Sequence, residues 1–107
     1  GVAVLGTPGG SYIPSMVLLG ILHWQAGADA TAIVAAPRLH HQYRPDVAFV
    51  ERGALAAAEQ TDLERRGHVF RAWPATIGNM NVVTWDVATG KVDAASDPRW
   101  GGGAIVR

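Results

Sequence analysis

The hydrophobic positions near the start of the chain change from a continuous run to a helical repeat. Val2–Leu5 is a short apolar run, which predicts a strand buried on both faces. Apolar residues then recur at helical spacing from Val17 to Leu22, after Pro14, which suits a first helical turn. The segment between them, Gly6–Ser11, is rich in glycine and predicts a turn that joins a strand to a helix.

The rest of the chain alternates between helical and extended patterns. The predicted elements are a helix over Ala30–Ala35 capped by Asp29 and ended by Pro37, an extended loop over Arg38–Pro45, a strand over Val47–Val50, a helix over Leu55–Arg66, a strand over His68–Ala72, and a hairpin of Val82–Val87 with Lys91–Ala94. This mixed order predicts an α+β or α/β class. With 107 residues, we expect one small domain over residues 1–107.

Composition narrows the classes of function. The chain is 49% hydrophobic and 17% charged, so we expect a packed core. Nine basic residues balance nine acidic ones, which gives no electrostatic reason to expect nucleic acid as a partner. The absence of cysteine excludes disulfides and thiol catalysis within the chain. Apolar runs such as Met16–Leu19 fall far short of the ~20 residues that a membrane span needs.

The glycine segment is the first candidate site. A strand that runs into a glycine turn and then a helix exposes backbone N–H groups, which suit an anion or an oxyanion formed in acyl transfer. Ser11-Tyr12 stands where a phosphate-binding loop needs Lys-Ser/Thr, and Ile13 stands where a nucleophile elbow needs glycine. The pattern leaves two interpretations open, a tight structural turn and an anion cradle.

Polar residues in the loops are further candidates. His40 and His41 are adjacent, and on extended chain they point in opposite directions, so we expect hydrogen-bonded structural roles and no metal site. Arg38, Asp97 and Arg99 lie among apolar residues, where buried ion pairs can pin loops. A serine hydrolase triad can be assembled on paper from Ser11, His40 and Asp97, and it stays the weakest alternative.

Three motifs together resemble one known family. Gly6-Thr7-Pro8-Gly9-Gly10-Ser11, Ala36-Pro37-Arg38-Leu39-His40-His41-Gln42-Tyr43 and Ala95-Ser96-Asp97-Pro98-Arg99 are similar, in the same order, to motifs of the gamma-glutamyltransferases, also called glutathione hydrolases. The resemblance covers almost the whole chain. It corresponds to the carboxyl-terminal part of that family's small subunit.

The resemblance implies an N-terminal-nucleophile hydrolase fold, an αββα sandwich of which this chain is a partial piece. In this family a precursor cleaves itself, and the new amino-terminal Thr attacks a gamma-glutamyl amide. The acyl group then passes to water or to an amino acid. The positions of Gly9 and Gly10 match the backbone donors of the family's oxyanion hole, whereas Arg38, His40, His41, Asp97 and Arg99 carry over as structural or maturation residues.

The chain also departs from the family pattern. Residue 1 is Gly, so the nucleophilic Thr is expected upstream, and the chain alone is expected to be inactive. The expected partners are the rest of the enzyme (the large subunit and the first part of the small subunit) or a second copy, together with a gamma-glutamyl substrate such as glutathione and no cofactor. The resemblance also implies a periplasmic or extracellular location. The alternatives are a related acylase of the cephalosporin or poly-gamma-glutamate type, and a non-catalytic remnant that binds a partner or a small anion.

Overall fold

The computed structural model describes residues 1–73, 75–76 and 78–107. In chain order the elements are β1 (Val2–Gly6), a short 3-10 helix (Gly10–Tyr12), α1 (Ile13–Gln25), α2 (Ala30–Ala35), β2 (Leu39–His40), β3 (Ala48–Val50), α3 (Ala57–Arg65), β4 (Phe70–Ala72), β5 (Asn81–Trp85) and β6 (Val92–Ser96). They fall into two compact units, Gly1–Ala36 with Ile77–Arg107, and Pro37–Thr76. That the two units form one domain stays a prediction.

The first unit is a three-stranded antiparallel sheet with two helices. The strand order is β1-β5-β6, and the register places Val4 opposite Val83 and Gly6 opposite Asn81. In the second strand pair, Val83 lies opposite Ala94 and Asn81 lies opposite Ser96. The hairpin between β5 and β6 was predicted from the sequence and is present.

The core of this unit lies between the helices and one face of the sheet. Its largest fully buried apolar side chains are Met16 of α1, Val34 of α2, Val82 of β5 and Met80 just before β5. Gly20 lets α1 pack closely here, because an added Cβ would stand 3.3 Å from the sulfur of Met80. The helical repeat from Val17 to Leu22 therefore belongs to a helix that covers the sheet, as its period indicates.

Two acidic side chains accept hydrogen bonds from backbone N–H groups at the N-terminus of α2. Asp29 Oδ1 accepts a hydrogen bond of 2.7 Å from the N–H of Ala32, so the predicted cap is present. Asp93 of β6 accepts a second bond of 2.9 Å from the N–H of Ala30. Both carboxylates stand at the positive end of the helix dipole, and Asp93 also ties the helix to the sheet.

The second unit is a smaller sheet of order β2-β3-β4 with α3. β3 pairs with β2 antiparallel and with β4 parallel. β2 lies inside the segment predicted as an extended loop, so that prediction was wrong for Leu39 and His40. The strand has only two residues and is set by pairing with Val50 and Phe49, a contact between distant segments that local composition does not encode.

One face of the first unit's sheet is apolar and uncovered in this chain. β1 was predicted to be buried on both faces, but its outward residues Val2 and Val4 are 47% and 68% exposed. On the same face Val83, Trp85 and Val92 are 45%, 48% and 39% exposed. The prediction was wrong because α1 and α2 cover only the opposite face. Three neighbouring strands that expose large apolar side chains together indicate an interaction surface.

None of the helices in the described part of the chain combines the length and the apolar character that crossing a membrane requires.

We expect the isolated chain to self-associate through this apolar sheet face. Val4 and Val83 lie opposite each other on neighbouring strands. The double substitution Val4→Lys with Val83→Glu reduces the exposed apolar area and places opposite charges across the strands, which is a favourable pair. Sedimentation velocity should show a smaller species for this variant. Val69→Lys with Val87→Glu changes two exposed valines elsewhere and should leave the association unchanged. An unaltered chain that sediments as a monodisperse, folded monomer would contradict the assignment.

Candidate functional site

The loop between β1 and α1 has a backbone that only glycine adopts readily. Gly9 has φ 146° and ψ 15°, and Gly10 has φ 58°. A side chain at Gly9 would clash with its own backbone in this region, so glycine is required for the shape of the loop. The predicted turn is present, and it passes directly into the 3-10 helix Gly10–Tyr12 and then α1.

Two successive carbonyl groups of this loop accept hydrogen bonds from within the same segment. The hydroxyl of Thr7 donates to the carbonyl of Pro8 at 2.9 Å. The N–H of Tyr12 donates to the carbonyl of Gly9 at 3.1 Å, which closes the 3-10 turn. Both peptide planes therefore have an orientation fixed through their oxygen atoms.

The N–H groups of Gly9 and Gly10 point the other way. In a planar trans peptide the carbonyl and the N–H lie on opposite sides, so binding each oxygen turns the matching N–H away from its partner. Within the described part of the chain, neither N–H donates a hydrogen bond. Gly9 is half-buried and Gly10 is exposed, so the two donors are accessible to a ligand.

The helix that follows adds favourable electrostatics to these donors. α1 has thirteen residues and begins with Pro14 in its first turn, which contains no acidic side chain. No acidic side chain of that turn compensates the positive end of the helix dipole, which lies next to the glycine loop. Together, the loop and the helix start favour a negative charge at this place.

The segment Gly78–Met80 holds the loop from the other side. The N–H of Asn79 donates to Thr7 Oγ1 at 2.9 Å. Gly78 has φ +84°, and an added Cβ would come closer to Met16 and to Thr7 than real Cβ atoms approach their neighbours. The indole N–H of Trp100 donates to the carbonyl of Gly78. Glycine at position 78 is thus required by both conformation and space.

A buried ion pair anchors this segment to the rest of the unit. Asp97 is 1% exposed, and its Oδ2 accepts a bond of 3.0 Å from the N–H of Met80. Its Oδ1 accepts from the Arg99 guanidinium at 3.1 Å. The same guanidinium donates to the carbonyls of Val34 at 2.8 Å and Ala36 at 3.0 Å, at the C-terminus of α2. A cation there also complements the helix dipole.

The histidines of the second unit are held by hydrogen bonds. His40 is 2% exposed, and its Nε2 lies 2.8 Å from Gln42 Oε1. His41 Nδ1 accepts from the N–H of Tyr43, so its Nε2 carries the proton and donates to Asp46 at 2.9 Å. No group of three or more metal-ligating side chains occurs among the residues that the structure describes.

Arg38 begins the same unit and is 2% exposed. Its backbone N–H donates to Glu51 Oε2 at 2.8 Å, and its carbonyl accepts from the N–H of Glu51 at 2.8 Å. The structure therefore brings Gly9, Gly10, Asp97 and Arg99 into one unit and Arg38, His40 and His41 into the other. Asp97 binds Met80 and Arg99, which gives no support to a triad with Ser11 and His40.

Sequence reasoning missed the residues that orient the loop. The sequence pattern included Thr7 only as one residue of a motif. It gave no role to Gly78, Asn79 or Trp100. The bond between Asn79 and Thr7 spans 72 positions of the chain, and no local pattern reports such a contact. The glycine at position 78 was the one available signal, because an isolated glycine before a strand often marks a close backbone approach.

Known proteins resemble this chain in sequence over most of its length. The family model described as gamma-glutamyltranspeptidase matches residues 1–107. A glutathione hydrolase proenzyme of Bacillus subtilis (strain 168) is 30% identical over 105 residues, which is 97% of this chain and 18% of that protein. One from Pseudomonas sp. (strain A14) is 40% identical over 70 residues, which is 64% of this chain and 12% of that protein.

Solved structures show the same arrangement of elements. A highly active mutant of gamma-glutamyltranspeptidase from Pseudomonas nitroreducens has a TM-score of 0.83 and 28% identity, covering 98% of this chain and 55% of that one. A mutant of the Helicobacter pylori gamma-glutamyltranspeptidase has a TM-score of 0.80 and 29% identity, covering 92% and 54%. The transpeptidase CapD of Bacillus anthracis, at 21% identity and a TM-score of 0.80 over 98% and 63%, shares the fold.

The elements described here are part of an N-terminal-nucleophile hydrolase fold, as the sequence resemblance implied. Within that class, the chain belongs to the gamma-glutamyltranspeptidase family. It spans less than a fifth of the length of the curated relatives it matches.

We expect Arg99→Met in the full-length protein to be strongly destabilising. The change leaves the Asp97 carboxylate buried without its cation, which typically costs about 3–5 kcal/mol. Arg66→Met is the matched control, because its ion pair with Asp62 is solvent-exposed and contributes about 1 kcal/mol or less. Urea unfolding of the two variants measures the difference. Equal midpoints would show that the buried pair does not support the unit.

Proposed function

We propose that this chain is part of an enzyme that transfers a gamma-glutamyl group to water or to an amino acid, and that its glycine loop forms the oxyanion hole. The observation that carries the proposal is the pair of N–H groups of Gly9 and Gly10. The carbonyls of the same two peptides, those of Pro8 and Gly9, accept hydrogen bonds, and the two N–H groups have no partner in the described part of the chain. Membership of the gamma-glutamyltranspeptidase family supplies the class of reaction.

The reaction begins with an amino-terminal Thr supplied by the rest of the protein. Its hydroxyl attacks the carbonyl carbon of the gamma-glutamyl amide, and its own α-amino group takes the proton. The carbonyl oxygen becomes an oxyanion, which accepts hydrogen bonds from the N–H groups of Gly9 and Gly10. Collapse of this intermediate breaks the C–N bond, the amine leaves with the proton, and an ester to Thr remains.

The second half of the reaction repeats the same geometry. Water or the amino group of an acceptor attacks the ester carbon, and the oxyanion forms again at the same place. The α-amino group takes a proton from the attacking group and gives it to the Thr oxygen as the ester C–O bond breaks, which restores the Thr hydroxyl and releases glutamate or a new gamma-glutamyl amide. One pair of donors therefore stabilises both tetrahedral intermediates, each donor contributing about 3 kcal/mol by comparison with other acyl-transfer enzymes.

The partner of this chain is the remainder of the same enzyme. The apolar sheet face of Val2, Val4, Val83, Trp85 and Val92 is suited to pack against a second sheet, as the sandwich architecture requires. The glycine loop follows directly from β1, which contributes to that face. Covering the face would therefore bring a nucleophile carried by the second sheet close to the donors.

The remaining predicted site residues take structural roles in this proposal. Asp97 and Arg99 hold the segment behind the glycine loop, through the contacts described above. Arg38, His40 and His41 hold the loop that follows α2 by buried or paired hydrogen bonds. None of the five acts on the substrate.

We expect Gly9→Ala in the full-length enzyme to lower kcat by about 100-fold or more with a γ-glutamyl anilide, because a side chain forces this peptide out of position. The matched control is Gly67→Ala. Gly67 also has positive φ, 97°, but stands in open space after α3, so its substitution imposes similar backbone strain without touching the loop. Steady-state hydrolysis rates, normalised to cleaved enzyme, measure both.

Two outcomes would contradict the proposal. An unchanged kcat for Gly9→Ala would place the oxyanion elsewhere. A parent enzyme that hydrolyses no γ-glutamyl donor but acts on a cephalosporin side-chain amide or on poly-gamma-glutamate would assign it to the related acylases instead.

A further inference from the structure

We propose that Thr7 is the positioning residue of the oxyanion hole: its hydroxyl sets the orientation of the Pro8–Gly9 peptide and thereby aims the Gly9 N–H at the oxyanion. This inference rests on the function proposed above. It assigns a role to a side chain that does not itself contact the substrate.

The hydroxyl of Thr7 is fixed by two hydrogen bonds of opposite sense. It donates to the carbonyl of Pro8 at 2.9 Å and accepts from the N–H of Asn79 at 2.9 Å. A hydroxyl that accepts from an N–H is polarised and becomes a better donor, so the two bonds reinforce each other. Because the accepted bond comes from a distant segment, the hydroxyl cannot rotate away without losing it.

The orientation passes to Gly9 through the planarity of the peptide. Holding the Pro8 carbonyl on one side leaves the Gly9 N–H on the other. Without the hydroxyl, nothing else in the described structure is seen to bind that carbonyl, and the flanking Gly9 allows the peptide to rotate. The Gly10 N–H needs no such residue, because the Gly9 carbonyl is held by the 3-10 turn.

The support behind Thr7 is rigid. Asn79 lies between two anchored neighbours, since Trp100 binds the carbonyl of Gly78 and Asp97 binds the N–H of Met80. Asp97 is in turn held by Arg99. Through Asn79 and its neighbour Met80, Thr7 therefore connects the glycine loop to the buried ion pair of the unit.

If Thr7 positions the donor, its loss should change kcat and not KM. An oxyanion exists only in the transition state and the tetrahedral intermediates, so a misaimed donor lowers kcat and leaves the KM for the substrate nearly unchanged. Thr7→Val removes the hydroxyl and keeps the side-chain shape. We expect kcat to fall about 10- to 100-fold, less than the loss of a donor altogether.

The experiment uses the full-length, cleaved enzyme with a γ-glutamyl anilide and three variants. Thr7→Ser keeps the hydroxyl and should retain kcat within about threefold. Thr84→Val is the matched control, because Thr84 is also half-buried but lies toward the other end of β5, opposite Ala3. It should leave kcat and KM unchanged.

A second readout separates positioning from general stability. A boronic acid that carries the γ-glutamyl side chain forms a tetrahedral anion on the nucleophile and resembles the intermediate, whereas glutamate binds as a ground-state product. Thr7→Val should weaken the boronate by about the same factor as kcat and leave the glutamate affinity unchanged. If Thr7→Val does not mature, Thr7→Cys, a weak donor, replaces it, with the same pattern expected relative to Thr7→Ser.

The outcomes distinguish this inference from the proposed function. An active parent with Thr7→Val equal to it in kcat and boronate affinity would overturn the role of Thr7 alone. Equal weakening of boronate and glutamate would also overturn it, because the residue would then be structural. A parent that turns over no γ-glutamyl donor would overturn the proposed function and the inference with it.

Discussion

The buried carboxylate of Asp97, together with Arg99, joins the start of β5 to the end of α2. One oxygen accepts from the backbone just before β5, and the other binds Arg99, whose guanidinium closes the end of α2. An ion pair removed from water is stable only when its remaining hydrogen-bonding capacity is satisfied. Here the partners are backbone groups of a helix and a strand, so satisfying the charges fixes the elements relative to each other.

That constraint reaches the glycine loop in two short steps. Asp97 binds the N–H of Met80, just before β5. The preceding residue, Asn79, donates its N–H to the hydroxyl of Thr7. Thr7 then holds the carbonyl of Pro8. A loop with two adjacent glycines would otherwise have many accessible conformations, and the entropy lost on ordering it would oppose the binding of any ligand. Tying it to a buried ion pair places that cost in folding instead.

The sequence was informative where structure is local or where several motifs occur together. The helix of Ala30–Ala35 with its Asp29 cap follows from short-range chemistry and was predicted with the bounds that the structure has. The glycine turn was predicted as well, and three motifs in order identified the family. The roles of Gly9 and Gly10 stay a prediction, because their donors belong to the backbone and any glycine turn carries the same atoms.

Other features could not be found without coordinates. β2 has two residues and exists through its partner strand, and the exposed face of β1 reflects which layers this chain contains. The bond from Asn79 to Thr7 joins positions 72 residues apart. This bond helps to fix the orientation of the Pro8–Gly9 peptide. The types of the residues involved do not predict that orientation. A threonine before a proline is common, and only the geometry distinguishes one that holds a carbonyl.

In the proposed reaction, the N–H groups of Gly9 and Gly10 bind the oxyanion. The most direct measurement is a crystal structure of the full-length enzyme with a γ-glutamyl boronate bound to its nucleophile. We expect one boronate oxygen to lie about 2.7–3.1 Å from both backbone nitrogens, with the Pro8 carbonyl still bound to Thr7. A tetrahedral adduct whose oxygens contact other donors, with both glycine N–H groups facing solvent, would contradict the account.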